Sequence, residues 1–125
     1  MKKISHDRVV DYIKKRKTEF GKSISEKDNN DFYEVFSLDF PIFIKKSIDS
    51  KNRMAIESSF DLLNDLIADV DDYLLDVLYE TIIESLALSG KVYYDEAKHY
   101  LNDEGIKLLE LKKNDPPLGF KPVDY

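Results

Sequence analysis

Cysteine is absent from this sequence, so neither a disulfide framework nor a thiolate metal site can be built from it. Long hydrophobic runs are missing too. The densest, "FPIFI" at 40–44, is far too short to span a bilayer. The opening segment "MKKISHDRVVDYIKKRK" has the positive start of a signal peptide without the apolar stretch that should follow it, and a cytoplasmic location is expected. Glycine and proline number four each and histidine two. No Gly-rich phosphate loop, G-x-S-x-G element or histidine motif is present, which leaves nucleophilic catalysis without a signature. The chain is expected not to be an enzyme and to carry no cofactor.

A further absence is of positive charge. From residue 54 to residue 90 there is no Lys, Arg or His, yet there are nine carboxylates. Residues 1–53 balance at +4, residues 54–90 at −9 and residues 91–125 at −1, within a net charge of −6. A block of that size bears on partners and association rates rather than on fold. It argues against nucleic acid as the ligand of this segment, because phosphates need cations.

What is present is helical periodicity. With 42% hydrophobic and 35% charged residues, the chain is globular rather than disordered, and 125 residues suffice for one core. Ser5 can cap a first helix carrying Val9, Tyr12 and Ile13, with Gly21 as its stop. The segment "DFYEVFSLDFPIFIKKSI" predicts a short helix, a break near Ser37–Asp39, and a second helix with Pro41 in its first turn. Ile56, Phe60, Leu63, Ile67 and Val70 place one apolar stripe on a helix over about 52–68. "DVDD" at 69–72 makes a junction at which Asp71 or Asp72 caps the next helix. That helix buries Leu74, Leu75, Leu78, Ile82 and Leu86 and ends at Gly90. A short strand is possible at "KVYY", 91–94. A last helix weakens at "LNDEG", where Asn102 can cap its resumption through Ile106, Leu108, Leu109 and Leu111. The expectation is an all-α, single compact domain over 1–113, of about five to six helices packed as antiparallel pairs. A Pro-rich extended tail follows at 114–125, mobile or laid down by Leu118 and Phe120.

The carboxylates have a regular spacing. Glu57, Asp61, Asp65 and Asp69 are four apart, and so are Asp72, Asp76, Glu80 and Glu84. Side chains at that spacing share a helix face. At about 100° per residue, the first ladder centres about 160° from the apolar stripe and faces out. Six like-charge pairs cost on the order of 1–3 kcal/mol. A solvated face is the plain reading, and "KKRK" at 14–17 can neutralise the ladder within the fold. A merely soluble helix normally mixes signs, however, and this one does not. The expected partner-binding surface is therefore Glu57, Asp61, Asp65, Asp69, Asp72, Asp76 and Glu80, with Tyr73 and Tyr79 as aromatic anchors.

Other constellations carry less. Asp69, Asp71 and Glu80 fall at positions 1, 3 and 12 of an EF-hand loop, but Leu74 occupies the glycine position. Glu96 and His99 have the spacing of half a di-iron site without the other half, so no metal site is expected. "KKRK" complements the negative end of the first helix, with too few aromatics nearby for single-strand stacking. Phe32, Phe36 and Phe43 read as core, or as an exposed docking cluster.

From Asn52 to Lys112, the run "NRMAIESSFDLLNDLI", a second amphipathic helix and "YLNDEGIKLLELK" resemble small all-helical bacterial proteins of the immunity type. The resemblance covers about half the chain and supplies no catalytic residues. It implies a compact acidic inhibitor that blocks a cationic, often nucleic-acid-cleaving, toxin domain. The alternatives are a helical adaptor or regulatory subunit docking through the aromatic cluster, and an acidic nucleic-acid mimic. In the leading case the partner is a protein with a basic surface, with no membrane and no nucleic acid bound.

Overall fold

The computed structural model describes residues 3–26 and 31–116. Two helices, α1 (Val9–Lys15) and α2 (Glu19–Ser25), stand where the sequence suggests one. The chain turns between them at Lys17, whose φ of 57° is left-handed, and the Thr18 hydroxyl accepts from the Gly21 N–H at 2.9 Å to cap α2. Gly21 is therefore not a helix stop. It is buried inside α2, where a Cβ would stand 2.6 Å from the Ile13 carbonyl oxygen, so glycine is what lets the two helices approach.

The third helix, α3, covers residues 32–49 without the expected break. A π-helical turn at Val35–Asp39 joins the α-helical pieces Phe32–Glu34 and Phe40–Asp49. The Phe40 N–H reaches back five residues to the Val35 carbonyl. Pro41 has no N–H to offer, and the wider turn carries the chain past it instead of ending the helix.

Helix α4 (Arg53–Asp69) starts at Asn52, whose side chain accepts from the Ala55 N–H at 3.2 Å. At the junction Val70 is extended and forms a single parallel bridge with Ile4. The Ile4 N–H donates to the Asp69 carbonyl at 2.8 Å, and the Asp71 N–H donates to the Ile4 carbonyl at 2.9 Å. Asp71 is the cap of α5, accepting from the Leu74 N–H at 2.9 Å. Helix α5 covers residues 72–88 with a second π-helical turn at Tyr79–Ile83. Gly90, at φ 144°, turns the chain in a conformation open chiefly to glycine. Residues 91–94 are then helical, not a strand: they open α6 (Lys91–Tyr100). Helix α7 (Asp103–Asn114) completes the fold. Asn102 precedes it without a side-chain cap bond. The break is held instead by Asn64 on α4, which accepts from the Asn102 N–H at 2.9 Å and donates to the Tyr100 carbonyl at 3.2 Å.

Among the described residues there are seven helices and no strand, and the fold is all-α in one domain. The expected stripes lie in the core: Ile56, Phe60, Leu63 and Ile67 of α4 and Leu74, Leu78, Ile82 and Leu86 of α5 belong to one buried cluster. Helices α4 and α5 do not, however, pack on each other as an antiparallel pair. Phe36 and Phe40 are fully buried, with Phe40 stacked on Phe20 at 4.4 Å between centroids. Each such side chain contributes about 1.5–3 kcal/mol by leaving water. Helix α5 lies closest to α6 and α7, and α4 to α2 and α3. The expected tail begins with Asn114 as the last residue of α7. Leu118 and Phe120 lie outside the described residues.

Candidate functional site: the acidic face of α4 and α5

The carboxylate ladders do lie on the outside, but the fold brings cations to several of them. Glu57 is exposed and has Arg53 at 3.7 Å, one turn earlier on the same helix. Asp65 is held by Arg16 at 2.5 Å. Arg16 also donates to the Tyr12 hydroxyl at 2.8 Å. Burial works against the Arg16 charge, but its hydrogen bonds to Asp65 and Tyr12 outweigh this and raise its pKa further. Lys14 and Lys15 fill the last turn of α1, where they complement the helix dipole. The basic segment therefore closes α1 and neutralises one carboxylate of the ladder.

A second compensation comes from α7. Lys112 is only 4% exposed. Its ammonium lies 3.2 Å from Glu80 and 3.4 Å from Glu84, and 4.1 Å above the Tyr79 ring centroid. Two carboxylates of the second ladder and one expected anchor tyrosine are thus engaged from inside the molecule. Tyr79 is half-buried as the floor under Lys112.

The rest divide by local use. Asp71 is a helix cap, and Asp72 sits in the first turn of α5, where a negative charge contributes about 0.3–1 kcal/mol. Asp69 is half-buried at the end of α4, with its backbone carbonyl bonded to Ile4. Asp61 and Asp76 are exposed and have no cation partner among the described residues. Asp72 is likewise exposed without one, so Asp72 and Asp76 repel each other one turn apart, at a cost of about 0.2–0.5 kcal/mol.

Between these two acids stands Tyr73, 55% exposed. Its ring meets His6 edge-on at 5.7 Å and Phe32 at 6.2 Å, while His6 and Phe32 lie 5.3 Å apart. The three come from the N-terminal segment, α3 and α5, so only the tertiary fold assembles them. His6 was not among the expected site residues, and Phe32 was expected only in the core or in the alternative docking cluster. Their spacing in sequence carries no signal of this contact. The other histidine, His99, is exposed and edge-on to Tyr100 at 4.7 Å, and Glu96 and His99 gather no further ligands: among the described residues no group of three His, Asp or Glu is placed to hold a metal ion. The cluster Phe32, Phe36, Phe43 is split, with Phe36 in the core and Phe32 and Phe43 half-buried. Among the described residues no helix is long and apolar enough to cross a membrane.

The nine carboxylates thus reduce to a narrower surface centred on Asp72, Tyr73 and Asp76, with Asp69 beside the junction and Asp61 on α4. Comparison with known proteins yields no match: no family model, no curated protein and no solved structure is significantly similar to this chain.

Proposed function

We propose that this protein is an inhibitory binding protein of the bacterial immunity type, acting in the cytoplasm, which holds the basic surface of a cognate toxin domain rather than catalysing a reaction. The observation that carries the reading is Tyr73. It is exposed and braced by two other rings, and it lies between Asp72 and Asp76, two exposed acids with no cation partner among the described residues. An aromatic anchor with flanking uncompensated charge suits a protein interface, in which the ring gives affinity and the charge gives encounter rate and selectivity.

The test is binding kinetics against the protein encoded next to this one, over a range of salt concentrations. Reversing Asp72 and Asp76 to Lys should slow association at low ionic strength, and the wild-type rate should fall steeply as salt screens the steering. Truncating Tyr73 should mainly speed dissociation. Asp65 is left out of the reversal because it is bonded to Arg16, and changing it would perturb the fold. If the double reversal associates at the wild-type rate at low salt, the acids are only a solvated face.

An adaptor docking through α3 is the second reading. Leu38 and Ile42, 50% and 40% exposed, favour it. Ile42 borders a cleft of about 530 Å³ that Lys45, Lys46, Leu88 and Tyr93 also line. Loss of binding on Ile42→Asp, with Tyr73→Ala silent, would select that reading.

A further inference from the structure

The surface beside Tyr73 holds more than an acidic ladder. A recess of about 400 Å³ opens next to the ring cluster, walled by His6, Phe32, Asp7, Asp11, Asp31 and Lys14. Aromatic rings in mutual contact are ordinarily buried. Here Tyr73 is more than half exposed and His6 is exposed; His6 and Phe32 wall an open concavity, and the Tyr73 ring lies against both. Asp7 accepts from the Ser5 hydroxyl, which with its backbone hydrogen bond holds its carboxyl below the usual range. Asp11 and Asp31 are exposed and have no cation partner among the described residues.

We infer that this recess and the Tyr73 ring receive an arginine side chain of the partner protein. This rests on the proposed binding function and names the group it would recognise. A guanidinium is planar and weakly hydrated. It stacks on aromatic faces while its edge hydrogen-bonds carboxylates, which a lysine ammonium does less well. Rings from three elements offer faces and edges at one place, Asp11 and Asp31 stand on the wall of the recess, and Asp72 and Asp76 share the helix of Tyr73. Lys14 on the same wall offsets one carboxylate, so preference for arginine comes from the rings rather than from net charge.

The probes are two blocked tripeptides, acetyl-Gly-Arg-Gly-amide and acetyl-Gly-Lys-Gly-amide, titrated into the whole protein while the ring resonances of His6, Phe32 and Tyr73 are followed by NMR. The arginine peptide should move all three and bind about two- to fivefold tighter than the lysine peptide. Tyr73→Leu and Phe32→Leu keep apolar bulk, and a dispersed spectrum confirms that each still folds. Each should erase the preference while leaving the weak charge-driven binding common to both peptides. Unmoved rings, equal affinities in the wild type, or a preference that survives both variants overturns the inference. The two proposals fail separately. A cognate partner whose binding is weakened by Tyr73→Leu but unchanged by Phe32→Leu removes the arginine recess and keeps the inhibitor. An arginine preference with no binding of the neighbouring gene product does the reverse.

Discussion

Lys112 offers a direct measure of how this fold manages its acidic face. Its side chain is 5% exposed, while Glu80 and Glu84 are 63% and 34% exposed, so the stem is buried and the carboxylates keep much of their water. Lys112→Ala removes three buried methylenes, about 0.8 kcal/mol each. It also removes two partly exposed ion pairs at about 0.2–1 kcal/mol apiece, and an ammonium–ring contact of about 0.5–1 kcal/mol. The expected loss is about 3–5 kcal/mol. Lys112→Met keeps the stem and a similar helix propensity. It loses only the charge, and part of that loss is offset because no ammonium has to be desolvated, leaving a cost of about 1 kcal/mol. Urea unfolding followed by far-UV circular dichroism measures both, and the Met deficit should shrink at high salt. The ranking is the test. If Met costs as much as Ala, the stem is not what α7 buries. A loss below about 1 kcal/mol for Ala would mean that Lys112 is not packed under α5 as described.

Three further outcomes follow from the same geometry. Gly21→Ala should destabilise by about 1–3 kcal/mol, because the new methyl meets backbone that cannot swing aside; an unchanged melting temperature would show that α1 and α2 have room to separate. Asp61→Asn and Asp76→Asn should leave stability within about 0.5 kcal/mol of wild type, with any change favourable, and a clear loss in chemical denaturation would reveal an internal partner. Glu110 accepts from the Tyr94 hydroxyl and pairs with Lys98 at 3.2 Å, and the two hold its carboxyl below the ordinary 4.5. A depressed carboxylate stabilises the fold above its unfolded pKa and loses that contribution as pH falls through the folded one. The stability gap between wild type and Glu110→Gln should therefore be full at neutral pH and close in acid; a gap that widens below pH 4.5 would contradict the assignment.

Elements with local causes were legible in the sequence. The starts of α4 and α5 are set by Asn52 and Asp71, which accept from N–H groups three residues on, and the turn at Gly90 is set by a backbone angle. All three are properties of a few consecutive residues. Gly21 was misleading because a glycine that ends a helix and one that admits a neighbour look alike until the neighbour, the Ile13 carbonyl, is in place. Pro41 misled for a related reason. Its missing N–H demands some irregularity, but whether the chain breaks or widens into a π turn depends on how much of α3 the core holds. For the acidic face, the sequence showed which side the carboxylates occupy and not what stands opposite. Arg16 reaches Asp65 only through the packing of the N-terminal helices on α4. Lys112 did leave a trace: it continues the buried row Gly105–Leu109, whereas Leu111 beside it is 56% exposed. The leucines of α7 obscure that trace because they do not share one face: Leu109 is buried and Leu111 is not. The consequence falls on the two tyrosines. By sequence Tyr73 and Tyr79 are equivalent, each flanked by carboxylates on one helix. A lysine from α7 covers Tyr79, while His6 and Phe32 prop Tyr73 outward, so only Tyr73 keeps the exposure that an anchor requires.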